Sequence, residues 1–377
     1  MSSSSAEKCP VRVLFIIGTR PEAIKMAPVI RALNAAPDGF HSVVCVTGQH
    51  REMLDQVLAL FQIHPDYDLD LMRADQSLAD LTAGLFTGLD RVAREVQPDW
   101  ILAQGDTTTV LVAGLVAFYH RVRFGHVEAG LRSGNRFNPF PEEINRRVAD
   151  LVADAYFAPT ERARKALLSE GCSAAAIHVT GNTVIDALHY VSALPHAWTA
   201  SPLRNIPQNR RLVLITAHRR ESFGEPFREI CLAIHDLAER FPDTHFVYPV
   251  HLNPHARRPV FELLKDRPNL HLLDPLSYVD LVHLMKSCAL ILTDSGGIQE
   301  EAPGLRIPVL VMRETTERPE GIEAGVVKLV GTRREQIVRE AATLLTDSTA
   351  HAAMATGANP YGDGRAAARI VAVLDQV

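Results

Sequence analysis

Cysteine is scarce. Cys9, Cys45, Cys172, Cys231 and Cys288 are the only five in 377 residues, odd in number and widely scattered. That excludes a disulfide framework and fits a reducing compartment. No CxxC pair occurs, so a thiolate zinc site is not indicated. Long apolar runs are absent too: the longest, 110–119, is too short to span a bilayer. There is no excess of positive charge. Lys and Arg number 39 against 44 Asp and Glu, a net charge of −5. A broadly basic nucleic-acid binder is excluded, though a local cationic pocket is not. The opening MSSSSAEKCP lacks the apolar core of a signal peptide, and residues 1–9 read as a flexible tail. A soluble cytoplasmic protein is expected.

Several cofactor signatures are also missing. No GxGxxG follows the first apolar run, so a tightly bound dinucleotide is not signalled. No GxxxxGK[ST] occurs, which argues against P-loop phosphoryl transfer. Thr293-Asp-Ser-Gly-Gly297 only loosely resembles a nucleophile elbow, because Thr stands where the first Gly belongs. His251 and His255 have helical ligand spacing, but Pro254 lies between them and no glutamate base accompanies them. No metal and no cofactor are expected.

What is present is a regular alternation. Short β-branched apolar runs are each followed by a turn and a helical stretch. The runs are 11–17, 43–47, 100–103 and 124–127, and then 212–216, 245–248, 290–293 and 309–312. Such alternation implies mostly parallel sheets covered by helices on both faces. Fully apolar runs such as 212–215 agree with burial on both sides. The segment 192–209 carries Pro195, Pro202 and Pro207 and shows no period. It is the expected linker between a domain of residues 10–191 and one of residues 210–363. The fold class is thus α/β, with two doubly wound domains facing a cleft. In such sheets ligands sit outside the carboxyl ends of the strands, which directs attention to the strand-to-helix turns.

Gly18-Thr-Arg-Pro-Glu22 puts Arg20 at a strand end and helix start, with Lys25 one turn on. Two cations and helix N–H groups there suit an anion. Asp294-Ser-Gly-Gly-Ile-Gln-Glu-Glu301 follows another strand. Ser295, Gly296 and Gly297 allow close backbone approach to a phosphate, and Glu301 is placed to hold ribose hydroxyls. Acids close three further turns: Asp106, Glu128, and the pair Glu142 and Glu143. Alone, Asp106 reads as an N-cap for a helix starting near Thr107, and Glu142 as a helix-start charge. Together, carboxylates in a closed cleft can serve as paired proton donor and acceptor. His218, Arg219 and Arg220 open the second domain's first turn, and Arg318 lies in a polar loop after a later strand.

These segments resemble the non-hydrolysing UDP-N-acetylglucosamine 2-epimerases. The matches are GTRPEAIKMAP at 18–28, GQHREMLDQ at 48–56, GDTTT at 105–109, HVEAGLRSG at 126–134 and PEEINR at 141–146. They continue with TGNTVIDAL at 180–188, HRRESFG at 218–224, YPVHLNP at 248–254, TDSGGIQEEAP at 293–303, PVLVMRETTERPE at 308–320 and NPYGDG at 359–364. Eleven segments in family order cover essentially the whole chain.

The resemblance implies two Rossmann-like domains in a type-B glycosyltransferase arrangement, with the C-terminal helix (residues 364–377) packing back on the first domain. It implies reversible inversion at C2 between UDP-GlcNAc and UDP-ManNAc through elimination of UDP and a bound 2-acetamidoglucal. Such a reaction supplies ManNAc-type precursors for cell-surface polysaccharide. Asp106, Glu128, Glu142 and His218 are implied as catalytic. Arg20, Lys25, Arg146, Leu276, Leu281, Ser295, Gly296, Gly297, Glu301 and Arg318 are implied as substrate-binding. Leu276 stands where a glutamine can occur near the uracil, and Leu281 where an aromatic can occur. Some bacterial members bind a second UDP-GlcNAc as an activator. Gln49, Arg219 and His251 match that site, whereas Asp75 and Glu52 depart from it, and Glu142 is also compatible with it. The family favours homodimers. The alternatives are a glycosyltransferase of the same fold and a non-catalytic UDP-sugar-binding regulator.

Overall fold

The computed structural model describes residues 9–48, 51–71, 73 and 76–376. Backbone contacts divide the chain into two compact units. One runs up to Ala187 and takes in the segment from Gly362 onward; the other is Leu188–Tyr361.

The first unit is built on a seven-stranded sheet. Its strands are β1 (Val11–Ile17), β2 (Phe40–Val46), β3 (Tyr67–Asp68), β4 (Trp100–Gln104), β5 (Arg123–Val127), β6 (Ala155–Ala158) and β7 (Ile177–Val179), in the order β3-β2-β1-β4-β5-β6-β7. Every pairing is parallel. β1 carries apolar side chains on both faces, and Val13–Ile17 is wholly buried. That is the signature of a central strand with helices on either side. On one face Leu14, Ile16 and Ile101 pack against Leu85, Leu89 and Val92 of the helix Leu78–Val96. Each such buried side chain contributes about 2 kcal/mol of hydrophobic stabilisation.

The second unit repeats the plan with six strands. They are β8 (Arg211–Thr216), β9 (Thr244–Pro249), β10 (Leu270–Leu273), β11 (Leu290–Thr293), β12 (Val309–Val311) and β13 (Val327–Leu329), in the order β10-β9-β8-β11-β12-β13. All are parallel. Its core joins Val213, Ile215, Phe246 and Leu292 with Phe227, Ile230 and Ile234 of the helix Glu225–Arg240.

Both sheets are Rossmann-like α/β layers, the fold class expected above. Each strand order reverses once, between β1 and β4 in the first unit and between β8 and β11 in the second. A ligand crevice forms at such a reversal, outside the carboxyl ends of the strands. The topology therefore singles out four turns: 18–22, 105–107, 217–224 and 294–297. The C-terminal helix Ala366–Leu374 packs on the helix Arg20–Asn34. Asp186 caps it by accepting from the N–H groups of Ala366 and Ala367, at 3.2 and 2.9 Å. Among the described residues, no helix is long and apolar enough to cross a membrane.

Candidate active site

The first unit's site is organised around two carboxylates. Glu128 closes β5 with a left-handed backbone, φ +68°. Few non-glycine residues adopt that conformation, so the turn is held by its surroundings. Lys25 Nζ donates to both Glu128 oxygens, at 2.9 and 2.6 Å, and the Gln104 amide donates to Oε2 as well. Lys25, expected beside the diphosphate, is thus engaged with a catalytic candidate. The pair is largely withdrawn from water, with side-chain exposures of 14% and 5%.

Asp106 follows β4 and Gly105, whose φ is +88°. It does not cap the next helix. Thr107 is the N-cap, with its hydroxyl accepting from the N–H of Val110. A threonine hydroxyl one residue closer to the helix has the better reach, which leaves the Asp106 carboxylate for other partners. Those partners lie on the helix Glu142–Val152. Arg146 pairs with Asp106 Oδ2, and Asn145 Nδ2 donates to the Asp106 carbonyl at 3.0 Å. Glu143, buried, accepts from the Ser133 N–H at 3.0 Å and lies 3.3 Å from Arg146. Glu142 is half-buried on the first turn of the same helix.

Two further residues, not singled out from the sequence, support these turns. His126 is fully buried in β5. Its Nδ1 lies 2.6 Å from Asp150 Oδ1 and its Nε2 lies 2.7 Å from the Gly105 carbonyl. A carboxylate and a carbonyl can only accept, so both ring nitrogens donate and the ring is an imidazolium. Burial works against that charge, but Asp150 and the Gly105 carbonyl outweigh it and raise the pKa. His126 thereby anchors the peptide that carries Asp106. Asp150 is held in turn by Arg132, at 2.7 Å.

The second residue is Glu22. Its Oε2 accepts from the N–H groups of Gly18 and Thr19, and its Oε1 accepts from the Thr107 hydroxyl at 2.6 Å. One carboxyl thus ties the turn bearing Arg20 to the turn bearing Asp106. Gly18 fits this contact because an added Cβ would lie 2.5 Å from Thr109 Oγ1. Burial raises the Glu22 pKa to about 7 against the pull of these donors, with Asp106 adding repulsion.

The folded protein holds the Glu22 proton more tightly than the unfolded chain, so the stabilisation is complete below pH 4.5 and is lost as pH rises to about 7. A shift of this size corresponds to about 3 kcal/mol. Glu22→Gln, which stays neutral, should flatten the decline in urea midpoint between pH 5 and 8. Parallel curves for the two proteins would remove Glu22 as the cause.

In the second unit, the helix Gly296–Gly304 starts directly at β11's turn. Ser295 occupies its N-cap position without a side-chain capping bond. An added Cβ at Gly296 would meet Arg219 Nη2 at 3.5 Å, and at Gly297 it would meet Glu301 Oε1 at 3.5 Å and Ser295 Oγ at 4.0 Å, all ordinary contact distances. Neither glycine has a positive φ. Packing within the protein does not demand glycine at either position.

Three consecutive side chains of this helix brace the surroundings. Gln299 donates to the Ser295 carbonyl at 3.1 Å and accepts from the Thr316 hydroxyl at 2.6 Å. Glu300 pairs with Arg318. Glu301 Oε2 accepts from the buried Tyr278 hydroxyl at 2.9 Å. Leu276, with 7% exposure, and the half-buried Leu281 flank Tyr278 in sequence.

At the turn after β8, the half-buried His218 stacks on His251 with ring centroids 5.0 Å apart and planes 6° from parallel. Asp294 Oδ2 accepts from the N–H groups of His218 and Arg219, at 2.6 and 2.7 Å. Arg219 and His251, expected at an effector site, are thus next to the Ser295 turn and His218 respectively. Gln49, Asp75 and the Glu52 side chain lie outside the described residues. Among the described residues, no group of three or more His, Cys, Asp or Glu is placed to hold a metal ion.

The family model for UDP-N-acetylglucosamine 2-epimerase matches residues 31–375. The chain belongs to this epimerase family. An epimerase is an isomerase, so the glycosyltransferase alternative loses its footing. The UDP-N-acetylglucosamine 2-epimerase of Yersinia pestis is 53% identical over 372 residues, covering 97% of this chain and 98% of its own. The Escherichia coli K12 enzyme of that name is 50% identical over 372 residues, with the same coverage of 97% and 98%. The crystal structure of the Neisseria meningitidis epimerase bound to UDP-GlcNAc superposes with a TM-score of 0.89. It is 46% identical and covers 97% of this chain and all of its own.

Proposed function

We propose that the protein interconverts UDP-GlcNAc and UDP-ManNAc by eliminating UDP across C1–C2 and adding it back. One observation carries this reading. Two carboxylates at the carboxyl ends of the adjacent strands β4 and β5 each pair with a cation, Lys25 on Glu128 and Arg146, which Glu143 shares, on Asp106. The two pairs fix both carboxylates outside the carboxyl ends of the strands, where ligands of such sheets sit.

The chemistry balances as follows. A carboxylate takes the proton from C2, the C–H electrons form the C1=C2 bond, and the C1–O bond breaks with its electrons leaving on UDP. The bound intermediate is 2-acetamidoglucal. In the return step the phosphate oxygen attacks C1 and a proton is delivered to C2 from the opposite face. Two acids with different hydrogen-bonded settings suit a task that needs one donor and one acceptor. In the second unit, Ser295, Gly296 and Gly297 lie at a helix start suited to the diphosphate. Their glycines are unexplained by internal packing, which supports close approach of a ligand. Glu301, oriented by Tyr278, is the ribose contact. His218, Arg20 and Arg318 complement the charge that collects on departing UDP.

Leakage of the intermediate tests this route. Prolonged incubation of the protein with UDP-GlcNAc should release UDP and 2-acetamidoglucal in equal amounts, more slowly than epimerisation. Release of UDP with a saturated free sugar instead would indicate hydrolysis and contradict the proposed reaction.

A further inference from the structure

Behind His218 one carboxylate oxygen has no partner. Asp294 is fully buried, and its Oδ2 is saturated by two backbone N–H groups. Its Oδ1 is buried without a hydrogen bond and lies 3.6 Å from His218 Nδ1. That separation is too long for a hydrogen bond, and an unpaired buried carboxylate oxygen is costly to keep. A small swing of the half-exposed imidazole would close it.

We propose that Asp294 is a positioning residue that takes the Nδ1–H of His218 onto its free oxygen, aims Nε2 at the UDP diphosphate and holds the ring as an imidazolium while that diphosphate is bound. The inference rests on the epimerase reading of this site. Three charged or titratable groups face the ring: Asp294 from the turn after β11, His251 stacked against it from the segment after β9, and Arg219 from its own turn. Burial, His251 and Arg219 lower the His218 pKa in the free protein, and only Asp294 opposes them. A bound diphosphate adds negative charge on the other side of the ring and reverses that balance. A buried aspartate that fixes the tautomer of a histidine and stabilises its charged form is an established device in acyl-transfer enzymes.

Asp294→Asn separates this role from a structural one. The amide oxygen can still accept from both backbone N–H groups, but its NH₂ would face Nδ1 and force the ring to accept there. Turnover should fall about 100-fold or more, with KM for UDP-GlcNAc within about threefold. In a His218→Asn background the same change should cost less than about threefold, because its effect passes through the ring. With ¹⁵N-histidine-labelled wild-type protein and saturating UDP at pH 7, His218 should show two protonated ring nitrogens. Equal losses in both backgrounds, or a neutral His218 in the wild-type complex, would overturn the proposal. The labelled wild-type measurement stands even if the variant does not fold. Absence of wild-type epimerisation would instead remove the epimerase reading and leave the His218 measurement to be judged alone.

Discussion

Glu128→Gln should lower turnover by about 100-fold or more, the usual scale for loss of a general acid or base. The substitution keeps the shape of the side chain but removes the group that can take up and return a proton. It also removes the negative charge opposite Lys25, whose side chain is 14% exposed. Breaking a mostly buried ion pair by neutralising one member destabilises the fold by about 3 kcal/mol or more, so a lower melting temperature should accompany the loss. The two effects are separable. Lys25→Met combined with Glu128→Gln should recover much of the stability and none of the activity. A double variant that regained turnover would show that Glu128 acts only as a counterion.

Asp106→Asn should also cost about 100-fold or more, but with little loss of stability. Its side chain is 30% exposed, so its pair with Arg146 is partly solvated. The backbone is held independently, by Asn145 on its own carbonyl and by His126 on that of Gly105. The amide therefore stays where the acid was. If the two acids serve opposite faces of C2, the variants fail differently. One should still exchange the C2 proton of UDP-GlcNAc with solvent while forming no epimer. The other should do neither. Identical residual behaviour in both would contradict a division of labour between the faces.

Much of the fold was legible because the central strands announce themselves. Val11–Ile17 is apolar on both faces and ends at Gly18, and it is β1 without adjustment. Leu290–Thr293 is likewise β11. The strands not anticipated, β3, β6, β7, β10 and β13, are two to four residues long. β11 and β12 are equally short but consist of Leu, Ile, Val and Thr, whereas β3, β7, β10 and β13 each include a histidine or a charged residue and β6 has no β-branched residue, so none of these stands out as a strand run.

The site divides in the same way. Its turns stand out as glycine, acid and cation at strand ends, but the pairings within them do not. Lys25 and Glu128 are 103 residues apart, and only the sheet order, with β4 beside β1 and β5 beside β4, brings them together. His126 carried one usable signal, a histidine inside an apolar strand, yet its charge state depends on Asp150, 24 residues on. Glu22 sits in the first turn of a helix, where an acidic residue draws no attention. Its two-turn bridge exists because β1 and β4 are neighbours.

Reaction in deuterium oxide addresses the central claim most directly. UDP-GlcNAc is incubated with the protein alone, with a chelator present and no cofactor added, and the sugar is followed by NMR. UDP-ManNAc should accumulate with deuterium at C2, and the remaining UDP-GlcNAc should acquire the label at the same carbon. Epimer formed with the original hydrogen still at C2 would contradict the account, because no carboxylate could then have passed that proton to solvent.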